Sequence, residues 1–314
     1  MLHEADLATM RGELVGFAYR MLGSPFEAED AVQETLLRAW RHGGEFDPGR
    51  ASPRTWVYRI LTNVCLDMLR SAQRRARATD FTSAAAPGGD LGAPLPESTW
   101  VLPILDHRWA DPADVAESRE TIRLAFVAAL QHLPPRQRAV LILRDVLCWQ
   151  AGEVATLLDA SVAAVTSALQ RARATLRAAA PGKHTTLSDA AQRDLVTRYA
   201  DAFQRNDIAA LVALLQEDAT TSMPPFTWWL RGRDTIGAVM SASEACHEDH
   251  LVLASANGGP AVWQHRPSRG GLEPFALLVF DFGEELISGV TTFLGFADAG
   301  EVGPLWARRS PAAR

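Results

Sequence analysis

The stretch that most narrows what this chain can fold into is residues 137–178, QRAVLILRDVLCWQAGEVATLLDASVAAVTSALQRARATLRA. Its apolar spacing predicts a helix, then a short helix from Ala151 to Leu158 with Val154, Leu157 and Leu158 on one stripe. Asp159, Ala160 and Ser161 supply a tight turn, and Ser161 is a good N-cap for a last, longer helix. That helix carries Val162, Val165, Leu169, Ala172 and Leu176 at helical spacing, so these are expected to face inward. Ala163, Thr166, Ser167, Gln170 and Arg171 then fall on or near the outward face. Small and polar residues there suit a helix seated in a major groove and bonding to base edges, with Arg173 and Arg177 reaching phosphates. This is a helix-turn-helix pattern. A helical hairpin with a solvated polar face has the same periodicity, so other parts of the chain must discriminate.

Residues 1–77 read as all helix. Leu7 to Met21 is amphipathic and is ended by Gly23-Ser24-Pro25. Ser24 caps the next helix, with Pro25 at its first position and Glu27 placed for a capping box. In that helix Ala31, Leu36 (or Leu37) and Trp40 are the expected buried stripe, with Glu27, Glu29, Asp30 and Glu34 exposed. After a Gly/Pro/Asp loop over residues 42–53, a third helix carries Trp56, Val57, Ile60, Leu61, Val64 and Leu69 as its buried face. Arg59, Asn63, Asp67 and Arg70 lie on other faces, each about one turn apart. They suit i,i+4 pairing on a solvated helix. With the basic tail, they equally suit melted DNA, where bases stack and arginines meet phosphates.

From Ala78 to about Ala116, proline and glycine break every periodicity, which predicts a linker with little structure of its own. Trp100, Ile104, Leu105 and Trp109 are unusual in a solvated spacer and are expected to dock on something. Glu117 to Leu133 is a helix with Ile122, Phe126, Ala129, Leu130 and Leu133 inward. Beyond Gly182 the pattern changes to helices followed by strand-like runs with glycine turns, an α+β layer with a curved antiparallel sheet.

The net charge of −6 excludes a uniformly basic nucleic-acid binder, yet Arg54, Arg59, Arg70, Arg74, Arg75 and Arg77 crowd one segment. Three scattered cysteines give neither a disulfide framework nor a cysteine zinc site, and a reducing compartment fits. No signal core or membrane span is seen, so a cytoplasmic location is expected. Cys246-His-Glu-Asp-His250 is read as a polar loop, not a metal site, and no cofactor is implied.

Two blocks in order, EAEDAVQET with PRTWVYRILTNVCLDMLRSAQRR and then HLPPRQRAVLILRDVLCWQAGEVATLLDASVAAVTSALQRARATL, resemble bacterial extracytoplasmic-function (ECF) sigma factors. The stretch SMPPFTWWLRGRDTI resembles SnoaL-like cone-fold domains, which a subgroup of these factors carries as an extension. The resemblance implies a multidomain chain: sigma region 2 over 1–79, a linker over 80–116, a region 4 helix-turn-helix over 117–180 and a SnoaL-like domain over 186–314. It implies that Glu29, Asp30, Gln33 and Glu34 bind the clamp of RNA polymerase core, the flap being a further contact. Trp56, Arg59, Asn63, Asp67, Arg70 and Arg74 would hold the melted −10 element. Ser161, Thr166, Ser167, Gln170, Arg171 and Arg173 would read the −35 element. Many family members have basic residues where this chain has Thr166 and Ala168, and a glycine where it has Asp159.

In the C-terminal domain Trp228, Trp229, Arg231, Arg233 and Trp263 are the candidates for an apolar pocket that takes a small-molecule ligand. The expected function is a non-catalytic sigma factor modulated in cis by this domain. A bifunctional protein whose C-terminal domain is an isomerase or cyclase is the alternative, and a DNA-binding regulator independent of polymerase is a third reading.

Overall fold

The structure, a computed structural model, describes residues 4–47, 49, 51–71, 75–108, 120–179, 187–243 and 246–296. It divides into two compact units, Met1–Ala76 with Ser98–Pro181, and Arg77–Glu97 with Gly182–Arg314.

The first unit is helical. Helix α1 (Glu4–Leu22) packs against α2 (Pro25–Arg41) and α3 (Pro53–Ser71). Ser24 caps α2 as expected, accepting from the Glu27 amide at 3.4 Å. The Glu27 carboxylate does not close the capping box and instead accepts from Arg75 at 2.5 Å. The buried stripe of α2 is Ala28, Ala31, Val32, Thr35 and Ala39, which corrects the expectation for its larger residues. Leu37 is 39% exposed and Trp40 is 77% exposed. Small side chains on the inner face let α2 lie close to α1 and α3, leaving no place for the indole. Helix α3 buries Val57, Tyr58, Leu61, Val64 and Cys65. Ser52 caps it, accepting from the Thr55 amide at 3.1 Å.

Helices α4 (Leu124–Leu130), α5 (Pro135–Leu141), α6 (Ala151–Leu157) and α7 (Val162–Ala179) complete this unit. Between α5 and α6 the chain makes a π-helical turn, Ile142–Val146. Two buried arginines join α1 to the later helices. Arg20 donates to the carbonyl and hydroxyl of Thr121, at 3.1 and 2.7 Å, and burial pulls its guanidinium down to about 10. Arg138, 3% exposed, donates to the Met21 carbonyl, to the Gln131 side-chain oxygen at 2.5 Å, and to the Leu133 carbonyl at 3.1 Å.

Among its described residues the expected linker has no regular structure beyond short 3₁₀ turns, but it is not a free spacer. Trp100, Val101, Leu102, Ile104 and Leu105 are buried in the first unit. Backbone bonds from Ala76 to Thr99 (2.9 Å) and from Leu102 to Gly23 (2.9 Å) fix them, and the Tyr19 hydroxyl donates to the Leu102 carbonyl at 2.8 Å. Residues 77–97 belong to the second unit. Trp109 and the acids Asp111, Asp114 and Glu117 lie outside the described residues.

The second unit packs α8 (Asp189–Gln204), α9 (Ile208–Ala213) and α10 (Arg233–Ser241) with a six-stranded sheet in the order β2-β1-β6-β5-β4-β3. The strands are β1 (Leu215–Ser222), β2 (Trp229–Arg231), β3 (His250–Ala256), β4 (Gly259–Ser268), β5 (Gly271–Phe282) and β6 (Ile287–Leu294). Four of the five pairings are antiparallel, as expected, and β1 with β6 is parallel. Alternation along β5 sends Ala276, Leu278, Phe280 and Phe282 into a core shared with Leu195, Val196, Tyr199 and Leu211.

The Cys246–His250 loop folds into a local network. Asp249, with a side chain 2% exposed, accepts from Arg266 at 2.9 and 2.7 Å and from the Gln264 amide at 2.5 Å. Burial works to raise the Asp249 carboxyl, but the bonds from Arg266 and Gln264 outweigh it and hold it below the usual carboxylate range. A lowered folded-state value means stability that is present above the unfolded value, about 3.9, and is lost as pH falls through the folded one. Asp249→Asn is therefore expected to weaken the full chain by roughly 2 kcal/mol at pH 7, Arg266 being partly screened by solvent. It should also remove part of the loss of stability that sets in as pH falls below about 4. Urea titrations at several pH values measure both, and a variant as stable as the parent would show the pair to be energetically idle.

Candidate polymerase and nucleic-acid interfaces

On α2, Asp30 and Gln33 are exposed. Glu29 pairs with Arg11, and Glu34 with Arg38 at 2.7 Å. Asp30, Gln33, Leu37 and Trp40 succeed one another at spacings of three and four, so they share one helix face. This face therefore sets an exposed indole and leucine in line with polar and acidic groups. The apolar character of Trp40 points inward, whereas the spacing that links it to Asp30 and Gln33 points to the outer face it takes.

On α3, Arg59, Asn63, Asp67 and Arg70 are exposed along the helix, and Arg70 pairs with Asp67 at 3.0 Å. Trp56 is half-buried and packs on Phe46, with ring centroids 5.5 Å apart. These five residues all lie on α3, while Arg74 lies outside the described residues. Arg54 in the first turn of α3 donates to Glu13 at 2.8 Å and lies 5.5 Å over the Trp149 ring. Burial works against its charge, but Glu13 outweighs that and holds Arg54 above its ordinary value.

The helix-turn-helix forms as the pattern predicts. Gln150 and Glu153 make a capping box at the start of α6, the Gln150 amide donating to the Glu153 carboxylate at 2.8 Å. Asp159 takes the left-handed conformation (φ 51) in the turn, the position where many family members have glycine. An aspartate tolerates that conformation better than most residues. Ser161 caps α7, accepting from the Ala164 amide at 3.1 Å. Val165, Leu169 and Ala172 are buried, whereas Val162 is exposed because it lies in the first turn, ahead of the buried stripe. Thr166, Ser167, Gln170 and Arg171 are exposed together, with the Thr166 hydroxyl donating back to the Val162 carbonyl at 3.0 Å. Arg173 stands apart: both its Nε and an Nη donate to Asp145, at 2.8 and 2.7 Å.

Of the five pocket candidates of the C-terminal unit, Trp228, Trp229, Arg231 and Arg233 fall on β2, next to it or at the start of α10, and Trp263 falls on β4. Trp229 sits on β2 and Trp263 on β4, with β1, β6 and β5 between them. The Trp229 indole N–H donates to the Thr82 carbonyl at 2.9 Å, and the Arg231 guanidinium lies 5.5 Å from the Trp229 ring centre. Trp228 packs against the core, Arg233 opens α10 beside Asp234, and Trp263 packs on Phe296. The aromatic run 226–229 looks the same in sequence whether it lines a cavity or holds a strap. Residues 77–97 are that strap: Arg77 pairs with Asp281 at 2.7 Å, the Ala85 amide donates to the Trp229 carbonyl at 2.8 Å, and the Leu95 amide to the Pro225 carbonyl at 2.8 Å. Among the described residues no group of histidine, cysteine and carboxylate side chains could hold a metal ion, and no single helix is long and apolar enough to cross a membrane.

Residues 7–75 match the Sigma-70 region 2 family and residues 123–176 match Sigma-70, region 4. The chain is 42% identical over 293 residues to ECF RNA polymerase sigma factor SigG of Mycobacterium tuberculosis (strain ATCC 25618 / H37Rv), covering 90% of this chain and 79% of that one. It is 32% identical over 216 residues to ECF RNA polymerase sigma factor SigJ of the same strain, 69% of this chain and 63% of that one. The crystal structure of M. tuberculosis SigJ has the same fold, with a TM-score of 0.65 at 22% identity over 93% of this chain and 96% of that one. Two helical sigma regions are thus followed by an α+β unit with a six-stranded sheet. The chain belongs to the ECF sigma factors, the non-catalytic subunits that bind RNA polymerase core and promoter DNA.

Proposed function

We propose that α2, α3 and α7 divide promoter recognition among three faces, and that the C-terminal unit modulates it in cis. The face of Asp30, Gln33, Leu37 and Trp40, flanked by Glu29 and Glu34, docks on the polymerase clamp. The exposed indole is the anchor, since large aromatics surrounded by polar groups dominate interface energies. Trp56, Arg59, Asn63, Asp67 and Arg70 hold the unstacked −10 strand, the tryptophan offering a stacking surface and the arginines meeting phosphates. The exposed row Thr166, Ser167, Gln170 and Arg171 reads the −35 element in the major groove. The protein works in the cytoplasm, where its polymerase is.

The observation that carries the cis-regulatory reading is the strap. Residues 77–97 connect the two sigma regions in sequence, yet their hydrogen bonds and their ion pair are made to the C-terminal unit. Whatever loosens or tightens that grip changes the freedom of the connection between the −10 and −35 readers.

Trp40→Ala is expected to weaken binding to core polymerase by ten-fold or more, about 1.4 kcal/mol or above, without lowering the melting temperature of the free chain. Titration of labelled full-length protein with core enzyme measures this, and unchanged affinity would remove Trp40 from the interface. Arg171→Ala should lower holoenzyme affinity for a promoter by roughly ten-fold through the −35 element alone. Equal losses on promoters with and without that element would place Arg171 elsewhere. Asp281→Asn in the full chain releases Arg77, and multi-round transcription should then differ from the parent by about three-fold or more, a shift of roughly 0.7 kcal/mol or above. Identical RNA yields would sink the strap as the regulatory element.

A further inference from the structure

Arg173 looks from its sequence position like a phosphate contact of α7. Its surroundings assign it another task. The side chain lies next to Ala172, at the border of the buried stripe, and both ends of its guanidinium fork are taken by the Asp145 carboxylate. A bidentate arginine–carboxylate pair fixes direction as well as distance, which a single ammonium contact cannot do.

Asp145 is itself rigidly presented. It belongs to the π-helical turn Ile142–Val146, where the Leu147 amide donates to the Ile142 carbonyl at 2.9 Å. The Trp149 amide donates back to the Leu143 carbonyl at 2.9 Å, the Arg144 guanidinium holds the Trp149 carbonyl, and Cys148 takes a left-handed conformation (φ 55) to close the bend. Trp149 is buried beneath it. A π turn inserts one residue into the helical register and so re-aims every side chain after it, a device found often at functional sites. The result is a carboxylate on a stiff frame facing α7.

The need for such a restraint arises from the packing of α7. Its buried stripe is Val165, Leu169 and Ala172, so beside Arg173 the buried side chain is only a methyl group, which interlocks little with its neighbours against rotation of that end of the helix. The reading residues Thr166, Ser167, Gln170 and Arg171 lie on the exposed side of the same helix, and hydrogen bonding to base edges tolerates errors of only about 0.5 Å. We propose that Arg173 is a positioning residue: through Asp145 it locks the roll of α7 against the 142–149 turn and so sets −35 discrimination, without contacting a phosphate. This rests on the proposed reading of the −35 element by α7.

The test uses holoenzyme made from the full chain and core polymerase, with two duplexes. One is a promoter selected by that holoenzyme from a randomised pool, and the other is the same duplex with its −35 element scrambled. Dissociation constants are measured on both across a salt series. Asp145→Asn and Arg173→Lys should each reduce the preference for the intact −35 element by about five- to ten-fold, roughly 1–1.4 kcal/mol, while Asp145→Glu keeps it. Arg173→Gln should do the same with no change in the slope of log affinity against log salt. Asp145→Asn should bind the scrambled duplex as the parent does, which shows the protein folded and assembled. The proposal is overturned if Arg173→Lys behaves as the parent while Arg173→Gln lowers the salt slope by about 0.9, the signature of one lost phosphate contact. It is equally overturned if Asp145→Asn binds the intact promoter as tightly as or more tightly than the parent, as removal of a negative charge beside DNA would produce. Loss of binding on both duplexes would mean that the pair merely holds the fold, and would also overturn it. If the parent itself fails to distinguish the duplexes, the α7 reading falls and takes this proposal with it; if the parent distinguishes them and the variants match it, only the proposal falls.

Discussion

A guanidinium in the interior carries much of the architecture of the helical unit. Arg138 leaves the first turn of α5 and reaches the Met21 carbonyl at the end of α1, while also holding the Gln131 side chain and the Leu133 carbonyl. These carbonyls belong to a helix end and a turn, where the backbone leaves acceptors unsatisfied. A buried cation aimed at the C-terminal end of α1 also meets the negative end of its dipole. Arg20 repeats the arrangement in the opposite direction, from α1 to Thr121. The two arginines tie the first three helices to the later four through hydrogen bonds to main chain as well as through apolar contact. Such bonds demand one geometry, since a buried guanidinium that loses its acceptors is left with the full cost of its desolvation.

That clasp gives the connecting segment its division of labour. Arg75 and Arg77 are two residues apart, yet Arg75 bonds to Glu27 and Trp100 in the helical unit and Arg77 to Asp281 in the C-terminal unit. Asp281 holds Arg77 above its ordinary value, outweighing the burial that opposes its charge, so this anchor stays charged at any physiological pH. From there the chain stays with the C-terminal unit until Glu97, and Trp100 to Leu105 then return to the helical core. A segment with no core of its own is ordered by joining two others, its first half that of the C-terminal unit and its second, through Trp100 to Leu105, that of the helical unit. Its prolines suit this, because an extended strap gives up little conformational freedom that proline had not already removed.

Much of this was legible in the chain. The helix-turn-helix, its Ser161 cap, the α2 cap at Ser24 and the glycine-marked strand turns rest on local rules of periodicity and capping, and they formed as those rules say. The docking of Trp100, Ile104 and Leu105 was also foreseeable, because such residues seldom stay in water. The departures share one cause. Trp40 and Val162 are expected inside because large apolar residues usually are, but a stripe of alanines has already taken the inner face of α2. The burial of Arg138 and the pairing of Arg173 with Asp145 depend on contacts between segments far apart in sequence, which no local spacing encodes. The placing of Trp229 and Trp263 has the same origin: the sheet order puts β1, β6 and β5 between their strands.

The charge on α7 fits a reader that depends on its partners. With Thr166 and Ala168 where many family members are basic, and with Arg173 committed to Asp145, the proposed reading face keeps Arg171 as its main cation. Each phosphate contact adds a salt-dependent increment to affinity that is blind to sequence. A helix short of such contacts grips non-specific DNA weakly, so a larger share of its binding energy comes from base edges and discrimination improves at the expense of affinity. The lost affinity is restored by tethering. In the proposed reading, once α2 is docked on polymerase and α3 holds the melted strand, α7, clasped to the same helical unit through Arg20 and Arg138, meets its site at a raised effective concentration.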